Sequence, residues 1–136
     1  SLWVLMDLNT RKMVLPGKSG LDFTGIERGN ELAVPGSLAP VKLEGKDTRT
    51  VRYCELDLNG HMSNTRYLDW MEDLLPSSFH ENHSPREFTV CYLSESREGQ
   101  TLDMSWDFLE DGMLQVDAHR NAEEKAERVF SARFLF

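Results

Sequence analysis

Residues Asp57 to Asn64 read Asp-Leu-Asn-Gly-His-Met-Ser-Asn. A carboxylate, a carboxamide and an imidazole recur at every second position, as Asp57, Asn59 and His61. In an extended loop, alternate side chains point the same way, so all three would converge on one point. Such a set suits stabilising an oxyanion and activating water. Each residue also has an ordinary use. Asn-Gly is a common tight-turn pair and aspartate opens turns, and a lone histidine is often a surface residue. A second carboxylate, Glu95, ends the run Phe88 to Glu95. By alternation it shares a face with Cys91 and Leu93. If that face packs on a helix, Glu95 reaches the loop. Otherwise it is a strand-end carboxylate in water.

The elements around these residues follow from periodicity. Thr48 to Leu56 reads as a strand, with Val51, Tyr53 and Glu55 on one face and Arg52, Cys54 and Leu56 on the other. Ser63 suits a helix N-cap. After it, Tyr67, Leu68, Trp70, Met71, Leu74 and Leu75 form an apolar helical stripe, which Pro76 stops. A helix beginning here brings main-chain N–H groups and positive potential to the Asp57–His61 loop. Residues 77–87 read as polar and turn-like. Phe88 to Glu95 alternates as a strand. Leu102, Met104, Trp106 and Phe108 keep a period of two, Asp111-Gly112 turns the chain, and Leu114, Val116 and Ala118 return. Phe130, Ala132, Phe134 and Phe136 mark one face of a last strand. One helix with a broad apolar stripe and a run of antiparallel strands predict an α+β fold, a curved sheet wrapped round a central helix.

Composition sets the limits. The chain has 136 residues, 40% hydrophobic and 28% charged, with a net charge of −8. That suits one packed domain and argues against nucleic acid, which needs clustered positive charge. The charge is uneven: net +2 over residues 1–53 and net −10 over the rest. Apolar runs of about five residues fall far short of the roughly 20 needed to span a membrane, and no signal peptide is visible. Ser1 rather than Met opens the chain, so it is expected to be processed, tagged or cut from something longer. Cys54 and Cys91 are too few for a disulfide framework or zinc site. Both are expected as buried free thiols, which points to a cytoplasmic home. His80 and His83 lack a third metal ligand, and no metal or cofactor is expected. Residues 16–46 hold six of the nine glycines and three of the five prolines, and read as a linker.

The segment Val51-Arg52-Tyr53, then Asp57 through Trp70, resembles the D-x-N-x-H-x-x-N-x-x-Y-x-x-W signature of acyl-acyl carrier protein thioesterases. Tyr92-Leu93-Ser94-Glu95 is similar to the family's Y-x-x-E pattern, and Trp3 to Arg11 resembles the closing strand of the first of its two tandem hotdog domains. The resemblance implies a hotdog fold over residues 47–136, an interdomain linker over 16–46, and the last strand or strands of a preceding hotdog over 1–15. It implies that Asp57, Asn59, His61 and Glu95 are catalytic and that Asn64, Tyr67 and Trp70 bind substrate. Asn59 would hold the carbonyl oxygen, His61 and Glu95 would activate water, and Asp57 would orient Asn59 and His61. The plant branch has a cysteine after the glutamate. Here the position is Ser96, which favours water over a thiol nucleophile; a covalent anhydride on a carboxylate is the runner-up route.

The expected activity is release of fatty acid from acyl carrier protein, in fatty acid biosynthesis and lipid metabolism. The domain is expected to pair with another hotdog, as a homodimer or with a first domain. The alternatives are a single-hotdog acyl-CoA thioesterase acting as a dimer, and a hotdog that only binds acyl chains.

Overall fold

The computed structural model describes residues 4–22, 24–25, 36–121 and 126–136. Its contacts divide the chain into two compact units, Ser1–Gly36 and Ser37–Phe136. In the first unit, β1 (Leu5–Met6) pairs antiparallel with β2 (Met13–Val14). Asp7 caps the turn between them, accepting from the Thr10 N–H at 2.7 Å. Trp3, part of the family-like closing strand, lies outside the described residues.

The second unit holds a five-stranded antiparallel sheet. Its strands are β3 (Gly45–Thr50), β4 (Glu87–Tyr92), β5 (Thr101–Phe108), β6 (Leu114–Asn121) and β7 (Ala126–Leu135), in the spatial order β3-β5-β6-β7-β4. Helix α1 (Asn64–Glu72) buries Tyr67, Trp70 and Met71, the three and four spacing of one helical face. These pack with Leu102, Met104, Val116, Ala118, Phe130 and Ala132 from the central strands in one core. The expected sheet wrapped round a single main helix is therefore the observed architecture.

Local differences have local causes. The strand expected over Thr48–Leu56 ends at Thr50, and residues Tyr53–Glu55 form a 3-10 turn. The Glu55 N–H donates to Arg52 O, and its side chain accepts from the Trp70 indole at 2.6 Å. This turn exposes Cys54, which was expected to be buried; Cys91 is half-buried. The helix ends at Glu72, before Pro76, and Ser77–His80 form a short helix α2 where only turns were expected. Ser63 sits at the N-cap position but makes no cap bond; its hydroxyl meets Thr65 Oγ1 at 3.1 Å. Between β5 and β6 the expected turn forms, with Gly112 at φ 78°.

Strand β6 is buried on both faces from Leu114 to Ala118. On the face away from α1, Ser131 Oγ donates to Asp117 Oδ1 at 2.5 Å, and Arg128 Nη1 lies 3.6 Å from Asp117 Oδ2. Arg128 also donates to Leu38 O at 2.7 Å, and Gln115 Nε2 to Ala39 O at 3.1 Å. Residues preceding β3 thus seal this polar layer.

Candidate active site

Asp57 to His61 form a closed turn rather than an extended loop. An isolated antiparallel bridge joins Leu56 to Met62, and the Asp57 N–H donates to His61 O at 2.7 Å. Gly60 supplies the left-handed residue at φ 73°. The Asp57 carboxylate organises the turn from within. Its Oδ1 accepts the main-chain N–H of Asn59 at 2.8 Å and of His61 at 3.1 Å, and its Oδ2 lies 3.5 Å from Asn59 Nδ2. The His61 N–H first, then that of Asn59, holds this carboxyl below the usual range. Asp57 is therefore tied to the His61 backbone, not to its imidazole. Convergence by strand-like alternation is replaced by a turn built around one carboxylate.

The imidazole turns to a different element. His61 Nε2 lies 3.2 Å from Glu95 Oε2, with the histidine side chain 14% exposed and the glutamate 45%. Glu95 lies three residues beyond the end of β4, in the loop that leads to β5. That loop is also tied to the turn through its backbone, because the Met62 N–H donates to Ser96 O at 2.7 Å. Four residues separated by up to 38 positions thus form one linked polar cluster, in which His61 lies three positions ahead of α1. Among the described residues no group of acidic, histidine or cysteine side chains is arranged to hold a metal.

The three expected substrate-binding residues occupy different places. Asn64 is exposed, and its main-chain carbonyl accepts the Tyr92 hydroxyl at 3.0 Å. Tyr67 is buried and stacks on Phe130 with ring centres 4.8 Å apart; burial pushes its hydroxyl up from the usual value. Trp70 is buried and forms part of the wall of a polar groove of about 700 Å³ between α1 and β3. Arg49 lies over its ring at 5.9 Å and pairs with Asp47 and Asp73.

A lone main helix wrapped by a five-stranded antiparallel sheet, with a polar turn at the helix start, defines a hotdog domain of the kind found in thioesterases. The comparisons with known proteins agree. A family model for the acyl-ACP thioesterase C-terminal domain matches residues 40–133. The chain belongs to that family. Dodecanoyl-[acyl-carrier-protein] hydrolase, chloroplastic, of Cinnamomum camphora is 39% identical over 46 residues, 34% of this chain and 12% of that protein. The crystal structure of an acyl-ACP thioesterase from Bacteroides thetaiotaomicron superposes with a TM-score of 0.77 at 27% identity, covering 96% of this chain and 52% of that one. A thioesterase-superfamily structure from Jannaschia shares the fold, with a TM-score of 0.58 at 20% identity over 70% of this chain and 69% of that one. The chain spans about half the length of the Bacteroides protein, and its match to the Cinnamomum protein covers a much smaller share.

Proposed function

We propose that this chain supplies the catalytic hotdog of a thioester hydrolase that releases fatty acid from acyl carrier protein, as part of fatty acid biosynthesis. The observation that carries this reading is the contact of 3.2 Å between His61 Nε2 and Glu95 Oε2, made across two separate elements. A carboxylate against an imidazole is suited to removing a proton from water. Thioesters lack strong amide resonance, so an activated water and a polarised carbonyl suffice. Asn59, with the main-chain N–H groups at the start of α1, is assigned to the carbonyl oxygen. Asp57 orients Asn59 and His61 through the turn it holds. Asn64, Tyr67 and Trp70 then act at the substrate side of the helix, Tyr67 and Trp70 chiefly by fixing its position through the core.

The same reading divides the chain into the end of a preceding hotdog over residues 1–15, a linker that was expected over 16–46 but stops where β3 opens at Gly45, and the catalytic hotdog from that strand to residue 136. Pairing with a second hotdog is assigned to the β4 edge. Among the described residues that edge has no partner strand on one side, and Phe88 is 60% and Tyr92 43% exposed there. The site of action is proposed as cytoplasmic from the cysteine usage, although the Cinnamomum relative is named as chloroplastic.

The test is free-thiol release from long-chain acyl carrier protein and, in parallel, from acyl-CoA, with His61→Ala as control. Faster turnover on the carrier-protein substrate, lost in His61→Ala, is the expected result. Equal turnover by His61→Ala would refute the assignment of the site, and a preference for acyl-CoA would refute the carrier-protein substrate.

A further inference from the structure

The Glu95 carboxylate is nearly half-exposed on a loop, yet it meets His61 at a hydrogen-bonding distance. Fixing a glutamate side chain costs rotamer freedom, and a mobile backbone beneath it would add to that cost. The structure shows what restrains the backbone. A register shift interrupts the pairing of β6 with β7 at Ala118/His119: Ala118 opposes Phe130, whereas His119 opposes Arg128. Val129 is the extra residue of this bulge. Its carbonyl accepts both the Leu93 N–H at 2.9 Å and the Ser94 N–H at 3.2 Å, which fixes the entry to the Glu95 loop.

Arg120, two residues past Ala118 on β6, secures the remainder. Its side chain is 20% exposed. Nη1 donates to the main-chain oxygen of Glu95 at 2.8 Å and to Gln100 Oε1 at 3.0 Å. Nη2 donates to Ser94 Oγ at 3.3 Å and pairs with Glu127. Gln100 Oε1 in turn accepts the Arg97 N–H at 2.8 Å. One planar guanidinium therefore reaches Ser94 and Glu95 at the start of residues 94–100 and Gln100 at their end. Its charge is already matched by Glu127, whose carboxyl the Arg120 guanidinium holds below the usual range. Arg120 is thus suited to holding the loop rather than to binding an anionic substrate.

We propose that Arg120 is a positioning residue that sets the Glu95 backbone so that its carboxylate meets His61, and that it affects turnover through Glu95. This inference rests on the assignment of His61 and Glu95 as the water-activating pair. The test is a double-mutant cycle on the enzyme that passes the His61→Ala control, using Arg120→Ala, Arg120→Lys, Glu95→Ala and the double variant Arg120→Ala/Glu95→Ala, with kcat and KM measured separately. Arg120→Ala lowers kcat about 10- to 100-fold with KM within about twofold, for an interaction that matters in the reacting complex rather than in binding. Arg120→Lys recovers part of the loss, because one ammonium cannot span all four acceptors. On the Glu95→Ala background, Arg120→Ala changes kcat less than about twofold, as expected of two groups acting as a unit.

Equal falls of kcat in both backgrounds would overturn the proposal, since Arg120 would then act independently of Glu95. So would an Arg120→Ala variant that keeps kcat within twofold of the parent. If Arg120→Ala does not fold, Gln100→Ala carries the same cycle: a fall in kcat that vanishes on Glu95→Ala supports the proposal, and equal falls overturn it. An inactive His61→Ala with a fully active Arg120→Ala sinks this inference alone. A fully active His61→Ala sinks the assignment beneath it.

Discussion

Replacing Asp57 separates two roles that a carboxylate could have here. In the structure it receives two main-chain N–H bonds on one oxygen, from Asn59 at 2.8 Å and His61 at 3.1 Å. Hydrogen bonds to an ionised group are roughly twice as strong as neutral ones. Asp57→Asn leaves a carbonyl able to accept both, so each bond weakens by about 1 kcal/mol without being lost. The turn is exposed, and solvent screening reduces the combined loss to about 1–1.5 kcal/mol. If that loss falls on the geometry needed for turnover, kcat drops about tenfold. Asp57→Ala removes the acceptor altogether, and kcat drops about 100-fold or more. The assay is thiol release under saturating acyl carrier protein substrate, with folding checked by circular dichroism. A covalent anhydride on Asp57 requires the carboxylate itself, so Asp57→Asn would then be as inactive as Asp57→Ala. That equality would refute the positioning role. The pH dependence adds a second check. The folded carboxyl titrates below its unfolded value, so its stabilising contribution is present above the unfolded pKa and is lost as pH falls through the folded one. Asp57 therefore stays charged across neutral and mildly acidic assays, and Asp57→Asn leaves the shape of the rate profile there unchanged.

Other substitutions probe the scaffold. Gly45→Ala would place a Cβ 2.6 Å from Trp106 Cε2 and 2.7 Å from the Trp106 carbonyl; stability should fall by about 1–3 kcal/mol in thermal or urea unfolding, as overpacking does. Asp117→Ala strips the buried carboxylate that faces Ser131 and Arg128, and is expected to cost about 3–5 kcal/mol; a neutral result would show that the polar layer behind the sheet is dispensable. In the native protein a thiol reagent should label Cys54 faster than the half-buried Cys91, and mass mapping of the labelled peptides reads the order directly.

The helix and the paired strands were legible because their periodicities are long and clean. Tyr67, Trp70 and Met71 recur at helical spacing, and Leu102 and Met104 alternate with polar neighbours. The Asp57–His61 turn and Glu95 were legible through residue type and spacing. Their connection was legible only as a hope of alternation, and the turn reaches it by another route. Arg120 left no local signal, since its partners Glu95, Gln100 and Glu127 lie up to 25 positions away. The bulge at Val129 is equally silent, because a register shift is a property of two strands together. Gln115 and Asp117 alternate with the apolar Leu114, Val116 and Ala118, and nothing local signals their burial, which depends on residues 38–39, some 76 positions earlier.

The Asn59-Gly60 pair inside the turn also sets how the protein ages. Asparagine followed by glycine cyclises when the glycine nitrogen attacks the side-chain carbonyl, expelling ammonia and leaving a succinimide that opens to aspartate or isoaspartate. Here the Gly60 N–H is engaged by Asp57 O at 3.1 Å, and the carboxamide lies beside Asp57 Oδ2. The closed turn occupies the Gly60 N–H with the Asp57 carbonyl, and each opening frees it to react. Deamidation would replace the proposed oxyanion donor with a negative charge, so stored protein should lose turnover well before it loses its fold.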